Sequence, residues 1–339
     1  MARKFLPLTA ALLAAAVLAG CAVRALPVAN MPSVEPHGPT EQLPNYDFGF
    51  GSQGAPELSA NQQLYGSAGL LAWPSVLVSL YLNEAGGATW TDGMIEQSRA
   101  NLAVAVDWIT TQAARYNAAP KIAYDDGSED SPLCYTYTYD GSFIGGDAGS
   151  ESNELYDYLD ALCETLDTDA LHKQYGTSSV GFLVFLPVSG CAFTMVHYQE
   201  DASSFYYEYS CLYAYDVFSG PTVFDSPSVY AHEILHLFGA PDLYEGSQDG
   251  FASPELTDYV LQTWPDAIMY DTYGADDSID YTRIDRALCP LTAYRLGLCN
   301  TFAGIAQFPD TALTPPGAFA AQAKPEAGDV WGDTGGEAA

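Results

Sequence analysis

The sequence predicts an α+β fold in which a mixed twisted sheet packs with a histidine-bearing helix. Three observations carry this expectation. Between residues 75 and 215, strand-length apolar runs are interleaved with long helical patterns. Val180–Leu186 is an almost continuous apolar run, which suits a strand buried on both faces. Gly239 and Pro241 then stop the histidine-bearing helix within a folded body spanning residues 63–302, enough for one sizeable core or two subdomains sharing a cleft.

The elements follow in order. Ser75–Leu82 reads as a strand, and Thr91 or Asp92 caps a helix to about Tyr116 with Ile95, Leu102, Val106 and Ile109 on one stripe. Lys121–Tyr124 is a short second strand. The acidic run Asp125-Asp126-Gly127-Ser128-Glu129-Asp130 is a candidate Ca²⁺ loop, but it lacks EF-hand spacing and reads as a solvated turn. Leu133–Tyr139 forms an extra strand, and a helix runs from about Asn153 to Tyr175. Val180–Leu186, Ala192–Tyr198 and Phe205–Tyr215 are strands leading to the histidine-bearing helix. Thr282–Leu298, with Ile284, Leu288, Leu291 and Leu296, reads as the closing helix.

The two ends are different in kind. Residues 1–20 read as a lipoprotein signal peptide: Arg3 and Lys4 precede the apolar Phe5–Leu18, and Leu18-Ala19-Gly20-Cys21 looks like a bacterial lipobox with lipid on Cys21. The alternative, a transmembrane anchor, needs a longer apolar run. Residues 21–62 are rich in proline and read as a disordered tether, and residues 303–339 as a disordered acidic tail. The expected location is therefore extracytoplasmic, lipid-anchored on a bacterial cell surface.

Composition narrows the partners. The chain holds 43 acidic against 11 basic residues, a formal charge of −32, which repels nucleic acid and anionic headgroups. Membrane attachment must then come from the lipid anchor; a monomer is expected. The acidity reads first as a solubility device, with attraction of cationic substrates as the alternative. Apart from Cys21 there are six cysteines, Cys134, Cys163, Cys191, Cys211, Cys289 and Cys299. An even number in an exported chain suggests three disulfides. Cys191 with Cys211 is the favoured pair; Cys289 with Cys299 is awkward, because an unbroken helix between them spans about 15 Å.

The chemistry concentrates in His232-Glu233-Ile234-Leu235-His236-Leu237-Phe238-Gly239-Ala240-Pro241-Asp242. Residues four apart lie on one helical face, so His232 and His236 can share one Zn²⁺. Glu233 is rotated by roughly 100° from His232, beside the metal but outside its shell, where a general base belongs. The turn at Gly239 and Pro241 brings the carboxylate of Asp242 back as a third ligand. Upstream, Asp225 or Ser226 can cap the helix and Pro227 suits its first turn. Of the other histidines, His37 lies in the tether, and His172 and His197 read as surface or satisfied core residues.

The string His-Glu-x-x-His-x-x-Gly-x-x-Asp followed by Met269 resembles the metzincin clan of zinc metallopeptidases, in the branch with an aspartate third ligand. Gly239-Ala240-Pro241-Asp242-Leu243-Tyr244 looks like the corresponding run of immune inhibitor A-type bacterial metallopeptidases, and more loosely like snapalysin. The resemblance is specific over about residues 225–300. It implies a metzincin-like zincin fold, with the mixed sheet and active-site helix in an upper subdomain to about residue 239 and a small, mostly helical lower subdomain over 240–302, together with Zn²⁺ on His232, His236 and Asp242, Glu233 as base and Met269 in the turn beneath the metal. Protein or peptide substrates and an endopeptidase activity follow from it. Tyr270 and Tyr273 are candidate oxyanion stabilisers, although neither has the usual offset from the methionine. Two alternatives stand beside this reading: Glu255, nineteen residues beyond His236, as third ligand in the manner of thermolysin-like gluzincins, and a non-catalytic surface-binding lipoprotein on a peptidase scaffold.

Overall fold

A computed structural model describes residues 24–25, 68, 71, 74–128, 133–143, 153–177, 179–196, 208–218, 222–247, 250–273, 281–299 and 301–311. The signal segment, Cys21, most of the expected tether, His197 and residues 312–339 lie outside them.

Two strands form the centre of a mixed seven-stranded sheet. These are β2 (Ser75–Glu84) and β5 (Ser179–Gly190), paired in parallel from Ser75↔Ser179 to Tyr81↔Phe185. Beyond β5 lie β7 (Tyr209–Asp216), β6 (Phe193–Val196) and β1 (Arg24–Ala25); beyond β2 lie β3 (Ile122–Ala123) and β4 (Cys134–Tyr139). Only β6 and β7 run antiparallel; every other pairing is parallel. Parallel strands need covering on both faces, and the sequence supplies this by alternation. In β2, Leu77 and Tyr81 enter one apolar layer with α1 (Asp92–Ala114) and α4 (Pro227–Leu237), while Val76, Val78, Leu80 and Leu82 enter another with α2 (Asn153–Glu164) and α3 (Thr168–Tyr175). The expected double burial of the Val180–Leu186 run holds throughout.

Several boundaries differ from the sequence expectation, each for a local reason. The helix expected over Asn153–Tyr175 is two helices, because Asp167 accepts a hydrogen bond from the Ala170 N–H at 3.0 Å and starts α3 afresh. The closing helix shrinks from Thr282–Leu298 to α6 (Pro290–Arg295). Pro290 suits a first helical turn, and the chain before it runs extended, with Ala287 bridging Ala267. An additional helix, α5 (Pro254–Thr263), is capped by Ser253 with Pro254 in its first turn. Part of the tether is structured: Arg24–Ala25 pairs with Met195–Val196 at the sheet edge. The C-terminal segment stays folded to a 3₁₀ turn at Pro309–Thr311, because Phe302 is buried and Phe308 packs on Tyr259 with ring centroids 5.1 Å apart.

The expected Cys191–Cys211 bridge does not form. Cys134, Cys163, Cys211, Cys289 and Cys299 take part in no disulfide, so none of the pairings expected among the six cysteines forms. Cys289 instead caps α6, accepting from the Thr292 N–H. In the acidic turn, Asp125 is buried and accepts from Arg99 at 2.8 Å, which removes one of the carboxylates a Ca²⁺ site would use. Among the described residues no helix is long and apolar enough to cross a membrane.

Candidate metal centre

Helix α4 is buried along its entire length, all eleven residues included. That follows from its composition: apolar residues surround it, so its polar groups must find partners inside the protein. Ser226 caps it by accepting from the Val229 N–H, with Pro227 in the first turn. Asp225, the other candidate cap, instead accepts from the Ser226 N–H at 2.8 Å.

The far end of α4 explains how the third candidate ligand returns. Gly239 has φ +88, a left-handed conformation natural to glycine. The Ala240 N–H reaches Leu235 O at 3.1 Å and the Gly239 N–H reaches His236 O at 2.9 Å, the paired bonds of a Schellman stop. The chain then doubles back under the helix, and Leu243 N–H donates to Met269 O at 2.9 Å. The turn around Met269 therefore grips both sides of the site: its neighbour Ile268 offers a carbonyl to His232 Nδ1 at 3.0 Å.

The result is a tight triangle of ligand atoms. His232 Nε2 and His236 Nε2 lie 3.1 Å apart, and Asp242 Oδ1 lies 3.3 and 3.4 Å from them. Tetrahedral Zn²⁺ with bonds of about 2.0–2.1 Å requires ligand separations of roughly 3.3 Å, so the three atoms fit one such ion without rearrangement. Among the described residues this is the single group of three or more such side chains whose atoms converge. Both imidazoles turn Nε2 inward because Nδ1 is occupied by a carbonyl, Ile268 O for His232 and Ala240 O, at 2.7 Å, for His236. Tyr244 donates to the outer oxygen of Asp242 at 2.9 Å.

Electrostatics follow from burial. Burial disfavours a charged His236, but the adjoining Asp242 carboxylate outweighs it and pushes the imidazolium up to about 9. Asp242 is likewise penalised by burial, yet His236 and hydrogen bonds from both imidazoles draw it down to about 2. Glu233, fully buried, is raised by desolvation against the pull of the two histidines. Its Oε2 lies 2.8 Å from the Thr194 hydroxyl, whereas Oε1 has no described hydrogen-bond partner. Thr194 and Ser210 form a cross-strand pair between β6 and β7, and both hydroxyls lie 3.0 Å from Glu233 O.

A cavity opens beside this centre, lined by His232, Glu233, Tyr244, Tyr270, Tyr273 and Asp216 among others. Tyr273 donates to Asp216 at 3.0 Å, so its hydroxyl is committed away from the histidines. Tyr270 is half-buried and lines the cavity, leaving it as the stronger oxyanion candidate. Glu255 is exposed in the first turn of α5 and does not join the histidines, so the gluzincin alternative loses its ligand. His172 is buried on α3, held neutral by desolvation that lowers it to about 4, and belongs to another layer.

Sequence reasoning missed Thr194, Ser210 and Asp216, which come from other strands, and overlooked Tyr244 as a support for Asp242. Only Tyr244 had a local signal, its place two residues after the aspartate. No protein-family model matches this chain, and no curated protein is significantly similar to it.

Proposed function

We propose that this protein is a zinc-dependent endopeptidase of metzincin type. One observation carries the reading: three buried ligand atoms of the right chemistry converge at tetrahedral spacing, with a fourth side chain, Glu233, beside them and uncoordinated. Zn²⁺ held by His232, His236 and Asp242 would supply Lewis acidity to a scissile carbonyl and to water. Glu233 faces the cavity, takes the proton of the attacking water and returns it to the leaving amine. Its raised pKa suits it to hold that proton between the two transfers. Thr194 fixes one oxygen of Glu233 so that the other is free to work. Tyr270 stands at the cavity wall, where a hydroxyl can donate to developing negative charge on the carbonyl oxygen.

Metal analysis coupled to a peptide-library cleavage assay tests this. One equivalent of zinc, hydrolysis abolished by chelator, and hydrolysis abolished in Glu233→Ala with zinc retained are expected. A zinc-free protein, or equal cleavage by Glu233→Ala, rejects the reading; biological activity unchanged in that variant favours the non-catalytic binding role. The extracytoplasmic, lipid-anchored placement is a separate proposal resting on the Leu18–Cys21 string. Mass spectrometry detecting Cys21 in a disulfide, or without acyl chains, overturns it.

A further inference from the structure

The cavity beside the metal centre has a wall that peptide-bond chemistry alone does not call for. With His232 and Glu233 its lining holds three further carboxylates, Asp216, Asp225 and Asp271, and the rings of Phe218, Tyr244, Tyr270 and Tyr273; Asp271 is paired with Arg286 at 2.7 Å. Phe218 is half exposed and meets Tyr273 edge to face, with ring centroids 5.9 Å apart. Asp216 is satisfied on both oxygens, by the Phe218 N–H at 2.9 Å and the Tyr273 hydroxyl at 3.0 Å. Asp225 differs. It is 3 % exposed, and the single hydrogen bond its carboxyl makes among the described residues comes from the adjoining Ser226 N–H.

We propose that this cavity receives a positively charged substrate side chain, lysine or arginine, on a residue next to the scissile bond, with Asp225 as its counter-ion. The proposal rests on the peptidase reading for the words "scissile bond" but not for the cation site itself. A buried carboxylate with one backbone donor is costly unless a cation completes its partners, and no lysine or arginine lines the cavity among the described residues. Burial raises the pKa of Asp225 well above its ordinary value, and the neighbouring charges of Asp216 and Glu233 add to this; the charge of an entering ammonium or guanidinium offsets both effects. The aromatic rings complete the recognition, since their faces attract cations and their bodies pack the aliphatic stem. Because His232 and Glu233 line the same cavity, the side chain held there belongs to a residue flanking the reacting carbonyl.

The test uses the full-length, zinc-loaded Glu233→Gln protein and four pentapeptides identical except for one residue: arginine, lysine, citrulline or leucine. Citrulline has the shape of arginine without its charge. Titration calorimetry is expected to give at least tenfold tighter binding of the arginine and lysine peptides than of the other two. Asp225→Asn in the same background, which keeps the acceptor for Ser226, is expected to bring arginine to the citrulline level. Equal affinity for arginine and citrulline overturns the proposal, and that comparison needs no Asp225 variant to fold. Undiminished arginine preference in a folded Asp225→Asn protein overturns it as well. Failure is separable from that of the peptidase reading: hydrolysis by the unsubstituted protein without charge preference sinks the pocket alone, while charge-selective binding without hydrolysis keeps the pocket and sinks the peptidase.

Discussion

Metal binding by this centre is expected to release about one proton at neutral pH, because a proton already occupies it. In the metal-free site the carboxylate of Asp242, overcoming burial, holds His236 at about 9, so at pH 7 the imidazole is an imidazolium. Zn²⁺ requires it neutral, and the proton must leave. A two-unit gap between pH 7 and that pKa corresponds to about 100-fold in apparent affinity, or about 3 kcal/mol. Below pH 9 the apparent zinc affinity should therefore fall by about tenfold per unit of acidification, steepening further where Asp242, at about 2, begins to protonate. The sign for stability without metal is opposite on the alkaline side. His236 is raised above its ordinary 6.5, so its contribution is complete below that value and is lost as pH rises through about 9. Asp242 is depressed below 3.8, so its contribution is present above that value and lost as pH falls toward 2. Both shifts describe one ion pair, so they are not additive; the pair is worth on the order of 3 kcal/mol between about pH 4 and 6.5. Calorimetric titration of zinc in buffers of differing ionisation heat measures the proton count, and thermal melts of chelator-treated protein across pH 4–10 measure the stability. Zero proton release at pH 7, together with a melting temperature flat from pH 6.5 to 9.5, would refute the reasoning.

Three further outcomes follow from the supports of the centre. Tyr244→Phe removes the hydroxyl that Asp242 accepts from and should weaken zinc 10- to 100-fold in chelator competition; unchanged affinity would show the hydroxyl to be idle. Thr194→Val leaves Glu233 Oε2 without its donor and should lower kcat roughly 10-fold with full zinc content, whereas loss of zinc itself would assign Thr194 a different role. Gly239→Ala places a side chain at φ +88 and should cost about 1 kcal/mol or more in denaturant unfolding, with weaker zinc retention because the return of Asp242 begins there; an unaltered midpoint would show that the Schellman stop is dispensable.

What the sequence revealed depended on how local the cause was. His232, His236 and Glu233 were legible because helical geometry alone fixes their faces, and Asp242 because Gly239 and Pro241 constrain the few residues between. The long strands β2 and β5 and the helix α1 announced themselves by unbroken apolar patterning. Helix α5 carried a complete start signal, Ser253-Pro254-Glu255, that passed unweighed because its apolar stripe is short. The over-long closing helix came from reading periodicity across Pro290, where the backbone before the proline resists helix. The hydroxyl pair Thr194 and Ser210, the Ile268 carbonyl and the cavity wall at Asp216 were out of reach for another reason: each meets α4 only through sheet register or a returning turn. Cysteine pairing failed in the same way, since Cys191 and Cys211 sit near each other in sequence, yet β6 pairs Cys211 with Phe193.

The centre and the cavity share an electrostatic logic. Asp225, Glu233 and Asp242 are all almost wholly buried, and all belong to α4 or its flanks. A chain with a formal charge of −32 gains nothing in solubility from acids hidden in its core, and three desolvated carboxyl groups cost stability unless cations answer them. Only Asp242 has histidine partners, through His232 and His236. Glu233 and Asp225 are left raised in pKa by burial, poised to ionise when positive charge arrives. A dication at the histidines answers one end of this row and a lysine or arginine side chain the other. On this argument metal and substrate stabilise each other: zinc favours ionised Glu233, whose charge reaches Asp225 and the cavity. Affinity for an arginine peptide should thus be higher in the zinc-loaded than in the chelator-treated protein carrying native Glu233, measured over minutes at low temperature to limit turnover. Equal affinities would mean that the two ends of the row act independently.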